Sequence, residues 1–239
     1  MPNPTAAMLV IGDEILSGRT RDANMHYLAG QLTEAGIDLK EVRVVSDDAP
    51  AIVAAVKALS AGYDSVFTSG GIGPTHDDIT ADCIAAAFDD PISVRADARA
   101  LLQAHYDRNG QELNDARLRM ARIPDSATLI DNPVSTAPGF TIQNVHVMAG
   151  VPSVFQAMVA TVLPTLTGGA PLMSRTLRVD RGEGDIAGPL GQFAAQFADL
   201  SVGSYPFQKD GKYGSNIVVR GADVARLDEA MTTLTTIFS

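Results

Sequence analysis

The sequence contains no tryptophan, one cysteine and few aromatic residues of any kind. It is also poor in positive charge: 18 Lys and Arg stand against 28 Asp and Glu, a formal net charge of -10. A lone cysteine, Cys83, excludes an intrachain disulfide framework, and a cytoplasmic location is expected. The acid excess argues against a nucleic-acid partner and against an anionic membrane surface. No apolar run approaches the ~20 residues of a membrane-spanning helix, and the first residues lack the basic-then-apolar order of a secretory signal. With so few bases, a phosphorylated ligand has to be held by main-chain N–H groups, a metal or a few placed cations.

What is present is concentrated in residues 66–82, VFTSGGIGPTHDDITAD. An apolar entry (Val66, Phe67) leads to Gly70, Gly71 and Gly73, then Pro74, Thr75, Asp77 and Asp78. Ile79, Cys83 and Ala87 follow at helical spacing. This order predicts a strand, a glycine-rich turn and a helix N-terminus. Glycine permits positive φ and close approach of a ligand; free N–H groups and the helix dipole favour an anion such as phosphate. Carboxylates at the rim could hold a divalent metal that bridges phosphates. Thr75-x-x-Asp78 also has the spacing of a capping box, so Asp78 has two readings, helix start or ligand.

The 239 residues suit one large domain, or one plus a small one. Residues 6–11 form a continuous apolar run, expected of a strand buried on both faces. It ends at Gly12-Asp13-Glu14-Ile15-Leu16, and acids at a strand's C-terminal end read either as a ligand site or as a solvated turn. Residues 21–35 predict a helix with Met25, Leu28, Leu32 and Ala35 inward, stopped by Gly36; Asn24 in its first turn reads as capping or exposed. A strand over 39–45, a helix opened by Asp47, Asp48 and Pro50, and a strand over 64–68 complete β-α-β-α-β. That alternation implies a parallel sheet with right-handed crossovers.

Further on, residues 95–109 predict a helix with Leu101 and Leu102 inward and His105 on the surface or half-buried. Residues 114–122 predict a short charged helix, and 128–148 several short strands with a hairpin at Gln143-Asn144. His146 alternates with valines and reads as structural. The kinked segment 135–139 reads as ligand-facing. Ala149 to Ser153 predict a strand-to-helix turn, and Val154, Phe155, Met158 and Val162 the buried stripe of the helix it opens. A linker is placed at 167–171. Beyond it a β-α-β-β-α unit is expected, with Gly188-Pro189 delaying or kinking its first helix and a flexible loop over 207–215. Lys209 and Lys212 in that loop either reach a phosphate across a subunit boundary or mark a solvated tip.

Five segments carry a family resemblance: Gly12-Asp13-Glu14-Ile15-Leu16, Asp22-x-Asn24, residues 68–80, Thr136-Ala137-Pro138-Gly139-Phe140 and Gly150-Val151-Pro152. In that order they resemble the molybdopterin-binding domain of molybdenum-cofactor biosynthesis. The nearest version is the one at the N-terminus of competence/damage-inducible protein A (CinA), and the N-terminal domain of FAD synthases is similar. Gly203-Ser204-Tyr205-Pro206 resembles the small domain that follows in CinA proteins. The resemblance implies an α/β, three-layer αβα sandwich with a mostly parallel sheet over 1–168, a small α+β domain over 169–239, and a homo-oligomer, dimer or trimer. It implies ligand contacts at Gly12, Glu14, Asn24, Ser69, Gly70, Gly71, Gly73, Pro74, Thr75, Thr136, Gly139, Gly150, Val151 and Pro152. Two departures stand out. Position 149 is alanine where the family commonly has proline, and no segment resembles the nicotinamide-mononucleotide-deamidating domain of full-length CinA.

The resemblance leaves a choice of chemistry. One expectation is a metal-dependent pyrophosphatase acting on ADP-ribose or a related nucleoside diphosphate. Asp13, Asp77 and Asp78 would be catalytic, and Asp13, Glu14 and Asp78 would hold Mg²⁺, or Mn²⁺ or Co²⁺. Asp82 is a further acid on the same helical face, and His76 either protonates a leaving phosphate or sits idle in its loop. A second expectation is molybdopterin binding, with or without adenylyl transfer, on the same phosphate cradle. A third is a nucleotide- or pterin-binding module without turnover.

Overall fold

A computed structural model describes residues 2–209 and 211–239; Asp210 and the side chain of Lys212 lie outside the described residues. The chain divides into two compact units, Met1–Gly169 and Ala170–Ser239.

The first unit runs β1 (Thr5–Ile11), α1 (Asp13–Leu16), α2 (Asn24–Glu34), β2 (Asp38–Val45), α3 (Ala49–Gly62), β3 (Ser65–Ser69) and α4 (Thr80–Phe88). It continues with β4 (Ile92–Val94), α5 (Ala96–Arg108), α6 (Asp115–Leu118), β5 (Arg122–Pro124), β6 (Thr128–Ile130), β7 (Gly139–Ile142), β8 (Val145–Met148) and α7 (Pro152–Val162). Six strands form one sheet in the order β2-β1-β3-β8-β7-β6. The first four are parallel, and β7 is antiparallel to both of its neighbours. The apolar run of β1 explains its central place. Ala7, Leu9 and Ile11 pack into a core with Ile52, Val56 and Leu59 of α3 and Cys83 and Ile84 of α4. Ala6, Met8 and Val10 pack on the other face with Leu28 and Leu32 of α2 and Phe155 and Met158 of α7. The unit is therefore the expected three-layer sandwich around a mostly parallel sheet. Each buried Leu or Ile contributes on the order of 2 kcal/mol.

Local chemistry sets the element ends. Asp48 caps α3 by accepting from Ala51 N at 3.1 Å, with Pro50 in the first turn. Helix α2 starts at Asn24 rather than 21, because the Asp22 carboxylate takes the N–H of Met25 (3.0 Å) in a turn ahead of it. Met25 and Leu101, expected inward, are 40% and 41% exposed; each lies off the stripe that its neighbours Leu28 and Leu102 bury. The β4–β5 ladder was not legible in the sequence. At the opposite end of the sheet, Asn144 closes the β7–β8 hairpin onto α3. Its Nδ2 donates to the carbonyls of Ser60 (2.9 Å) and Tyr63 (2.8 Å), and its Oδ1 accepts from Ser60 Oγ (2.6 Å). Asn144→Ala, which strands these groups, is expected to lower stability by about 2 kcal/mol in urea denaturation.

The second unit runs β9 (Met173–Val179), α8 (Glu183–Gln196), β10 (Ser201–Lys209), β11 (Lys212–Gly221) and α9 (Val224–Phe238), with an antiparallel sheet in the order β10-β11-β9. Ile186, Phe193 and Phe197 pack with Ile217, Val219, Leu227 and Leu234. Two expectations are corrected. Helix α8 runs through Gly188-Pro189 from Glu183, with Pro189 inside it; Glu183 and Asp185 in the first turn favour that earlier start. The loop expected at 207–215 is mostly strand, since the hairpin pairs as far as Lys209↔Lys212. No helix among the described residues is long and apolar enough to cross a membrane.

Candidate functional site

Strands β1, β3 and β8 end side by side, and a glycine follows one or two residues past each end: Gly12, Gly70 and Gly150. The crowding at Gly70 and Gly150 is backbone on backbone. Gly70 has φ 111°, and a Cβ on it would lie 2.2 Å from the Ile11 carbonyl oxygen. Gly71 has φ 69°, and a Cβ there would lie 2.1 Å from Thr80 Oγ1. A Cβ on Gly150 would sit 3.3 Å from Gly70 Cα. Thr80, fully buried, clamps the turn: its hydroxyl donates to Gly70 O (3.0 Å) and its N–H to Gly71 O (3.0 Å). The N–H of Gly70 goes to Met148 O at 3.2 Å. Among the described residues, no hydrogen bond engages the N–H groups of Gly71, Ile72 or Gly73. Unpaired main-chain donors beside a cleft form an anion cradle.

The cleft above this turn has a volume of about 600 Å³. The glycines border it, with Gly150, Val151 and Pro152 beside them, and Asn132, Ser135 and Ala137 line it too. Four carboxylates also line it: Glu14, Asp47, Asp77 and Asp78. Asp47 was expected only to open a helix. Its Oδ2 instead accepts from the N–H of Asp13 at 3.0 Å. Burial raises its pKa, and the charges of Asp13, Glu14 and Asp77 raise it further against that hydrogen bond. Asp77 is held below the usual carboxylate value, first by the Thr75 hydroxyl and then by its own N–H. That hydroxyl has one proton, and in this geometry it lies 2.5 Å from Asp78 Oδ2, which also accepts from Thr75 N at 2.8 Å.

Of the expected ligand and catalytic residues, Gly12, Glu14, Gly70, Gly71, Gly73, Asp77, Asp78, Gly150, Val151 and Pro152 line the one cleft. Others do not. The side chain of Asp13 is exposed and outside the lining, because successive residues of the one-turn α1 point about 100° apart; what Asp13 gives the site is its N–H. The expected metal set of Asp13, Glu14 and Asp78 is not assembled, and no three of His, Cys, Asp and Glu come together at ligating distance among the described residues. Thr75 and Asp78 pair, but they close a turn of their own, and α4 begins only at Thr80. Pro74 and Thr75 lie outside the lining. Asn24 and Ser69 border a smaller neighbouring cavity of about 60 Å³. There Asn24, 3% exposed, stitches α2 to the strand ends by donating to Ser69 Oγ and Gly150 O, both at 2.8 Å. Gly139 is a packing glycine, where a Cβ would lie 2.4 Å from Val147 O. Thr136 holds a positive φ of 67° and bonds the half-buried His105 Nδ1 at 3.0 Å. The His76 side chain is 99% exposed, and Asp82 is paired with Arg122. No short motif marks Asp47, because strand pairing brings it in from outside the glycine loop, and Thr80 lies in the marked segment without a role having been read for it.

Residues 7–168 match the family described as "Probable molybdopterin binding domain". The chain belongs to this molybdopterin-binding family. Residues 171–239 match "FAD synthase, middle domain". Among full-length relatives, the chain is 33% identical to "Probable FAD synthase" of Caenorhabditis elegans over 96% of its own length and 49% of the relative's. It is 40% identical to a "CinA-like protein" of Citrifermentans bemidjiense over 68% of its length and 40% of the relative's. The chain thus spans about half or less of these relatives. The crystal structure of the protein CinA with unknown function from Thermoplasma acidophilum superimposes with a TM-score of 0.63 at 34% identity, covering 68% of this chain and 97% of that one. In this family fold the cleft at the β1, β3 and β8 ends is the candidate ligand site.

Proposed function

We propose that the first unit hydrolyses the pyrophosphate of ADP-ribose or a related nucleoside diphosphate, with a divalent metal. The supporting observation is the run of unengaged N–H groups at Gly71, Ile72 and Gly73 beside the carboxylate-lined cleft. Such donors bind a phosphate and stabilise charge that builds on it during P–O cleavage. The acids fit a hard cation in one way. With no three ligands gathered, the cation would rest on one or two carboxylates and take its other ligands from phosphate and water, as Mg²⁺ does. Glu14 and Asp77 would hold it, and the repulsion that both exert on Asp47 would be relieved. When bound, such a cation neutralises phosphate charge and lowers the pKa of water. Asp47, half-buried at the cleft wall, is the carboxylate suited to accept a proton from a water aimed at phosphorus.

The family description favours a second reading, in which the same turn holds the phosphate of molybdopterin. Purified protein given ADP-ribose, FAD and CoA with Mg²⁺, Mn²⁺ or Co²⁺ separates the two. Mononucleotide products are expected, with kcat falling at least ~100-fold in Asp47→Asn protein of unchanged melting temperature. No turnover from any of the three, with a pterin retained through purification, would overturn the hydrolytic reading.

A further inference from the structure

Arg119 opens a single 3₁₀ turn, Arg119–Ala121, just ahead of β5. Its side chain borders a second cavity, of about 20 Å³, which shares Gly71, Ile72, Gly73 and Asp78 with the main cleft. Its Nε is buried and has no hydrogen-bond partner among the described residues. One Nη makes a long contact, 3.4 Å, with the Asp78 carbonyl. Arg122, which borders the same cavity, is neutralised by Asp82. A guanidinium N–H withdrawn from water without an acceptor is unfavourable, and such a group in a native structure calls for a partner. The cavity is of the size for one oxygen atom, not a whole phosphate. In a protein of net charge -10, a cation beside an anion cradle is also scarce.

We propose that Arg119 donates from Nε to a single phosphoryl oxygen of a ligand whose phosphate rests on the Gly70–Gly73 turn. The oxygen enters the small cavity, where a water takes its place in the free protein. Arg119 then supplies a half-buried positive charge beside the turn, whereas Arg19, which also lines the main cleft, is exposed. This rests on the reading that the turn holds phosphate.

The test is thermal stabilisation by inorganic pyrophosphate with Mg²⁺, in wild type, Arg119→Met and Arg119→Lys. Wild type is expected to be stabilised. Arg119→Met is expected to bind pyrophosphate at least ~10-fold more weakly, while its ligand-free melting temperature is kept or raised, because a buried N–H without an acceptor has been replaced by an apolar chain. Arg119→Lys, which keeps charge but has no Nε, is expected to weaken binding less. A purely structural arginine gives the opposite result, a lower ligand-free melting temperature with undiminished binding, and would overturn the proposal. Equal binding by wild type and Arg119→Met likewise shows that Nε meets only water, and leaves the phosphate turn standing. If Arg119→Met does not fold, wild-type affinity in Arg119→Lys overturns the proposal. Wild type that binds no pyrophosphate overturns the phosphate turn and this assignment together.

Discussion

Gly70→Ala is expected to destabilise the protein by about 3 kcal/mol or more and to abolish ligand binding. Two independent strains add at this position. The backbone sits at φ 111°, where an L side chain is rarely accommodated, and the new methyl would lie 2.2 Å from the Ile11 carbonyl oxygen. That oxygen is main chain at the end of the central strand, so it has no rotamer by which to move aside. Relief requires parting β1 from β3 at the point where the cleft begins. Gly30→Ala is the matched control. Gly30 lies within α2, and a methyl added there would meet nothing within 4 Å; alanine at this position is expected to add about 0.5–1 kcal/mol. Urea denaturation midpoints of the two variants check both signs. A Gly70→Ala protein as stable as wild type would mean that the three strand ends do not meet as described.

The second large effect is on acid stability. His146 lies in the central sheet, 5% exposed, with Nδ1 3.0 Å from Thr141 Oγ1, its ring 5.0 Å from that of Phe67, and no partner for Nε2 among the described residues. Burial lowers its pKa from 6.5 to about 4. Between those values the unfolded chain binds a proton that the folded one refuses, so stability rises with pH through this window. The contribution is complete above pH 6.5 and is lost progressively as pH falls toward 4, by about 3 kcal/mol in total. His146→Phe, which keeps a ring against Phe67, is expected to remove that part of the pH dependence. Denaturation free energies of both proteins at several pH values in this range measure it as a difference, which cancels the carboxylates common to both. Parallel pH profiles would show that His146 is protonated in the fold.

Much of the fold was legible because its signals are local. A strand apolar on both faces, as at residues 6–11, suits the inside of a layered sandwich, and Asp48-Ala49-Pro50 is a local helix-start signal. The glycine turn was legible for the same reason. The errors were also local in origin: Met25 and Leu101 are apolar residues off their buried stripes, and Pro189 is a helix breaker overruled by packing of Ile186 and Phe193 on one side of α8.

The site was legible only as far as single segments go. The sequence by itself determined that a glycine-rich turn follows β3, since glycine's missing side chain is a property of each residue alone. It also determined that few cations are available to balance an anion in so acidic a chain. Only the tertiary structure decided which acids share the cleft. It put the Asp13 side chain into solvent and brought Asp47 from the end of β2. It also set Arg119, 46 positions beyond Gly73, beside the turn. The reason is physical: where a side chain points depends on strand pairing and helix phase, and whether its charge is balanced depends on neighbours distant in the chain.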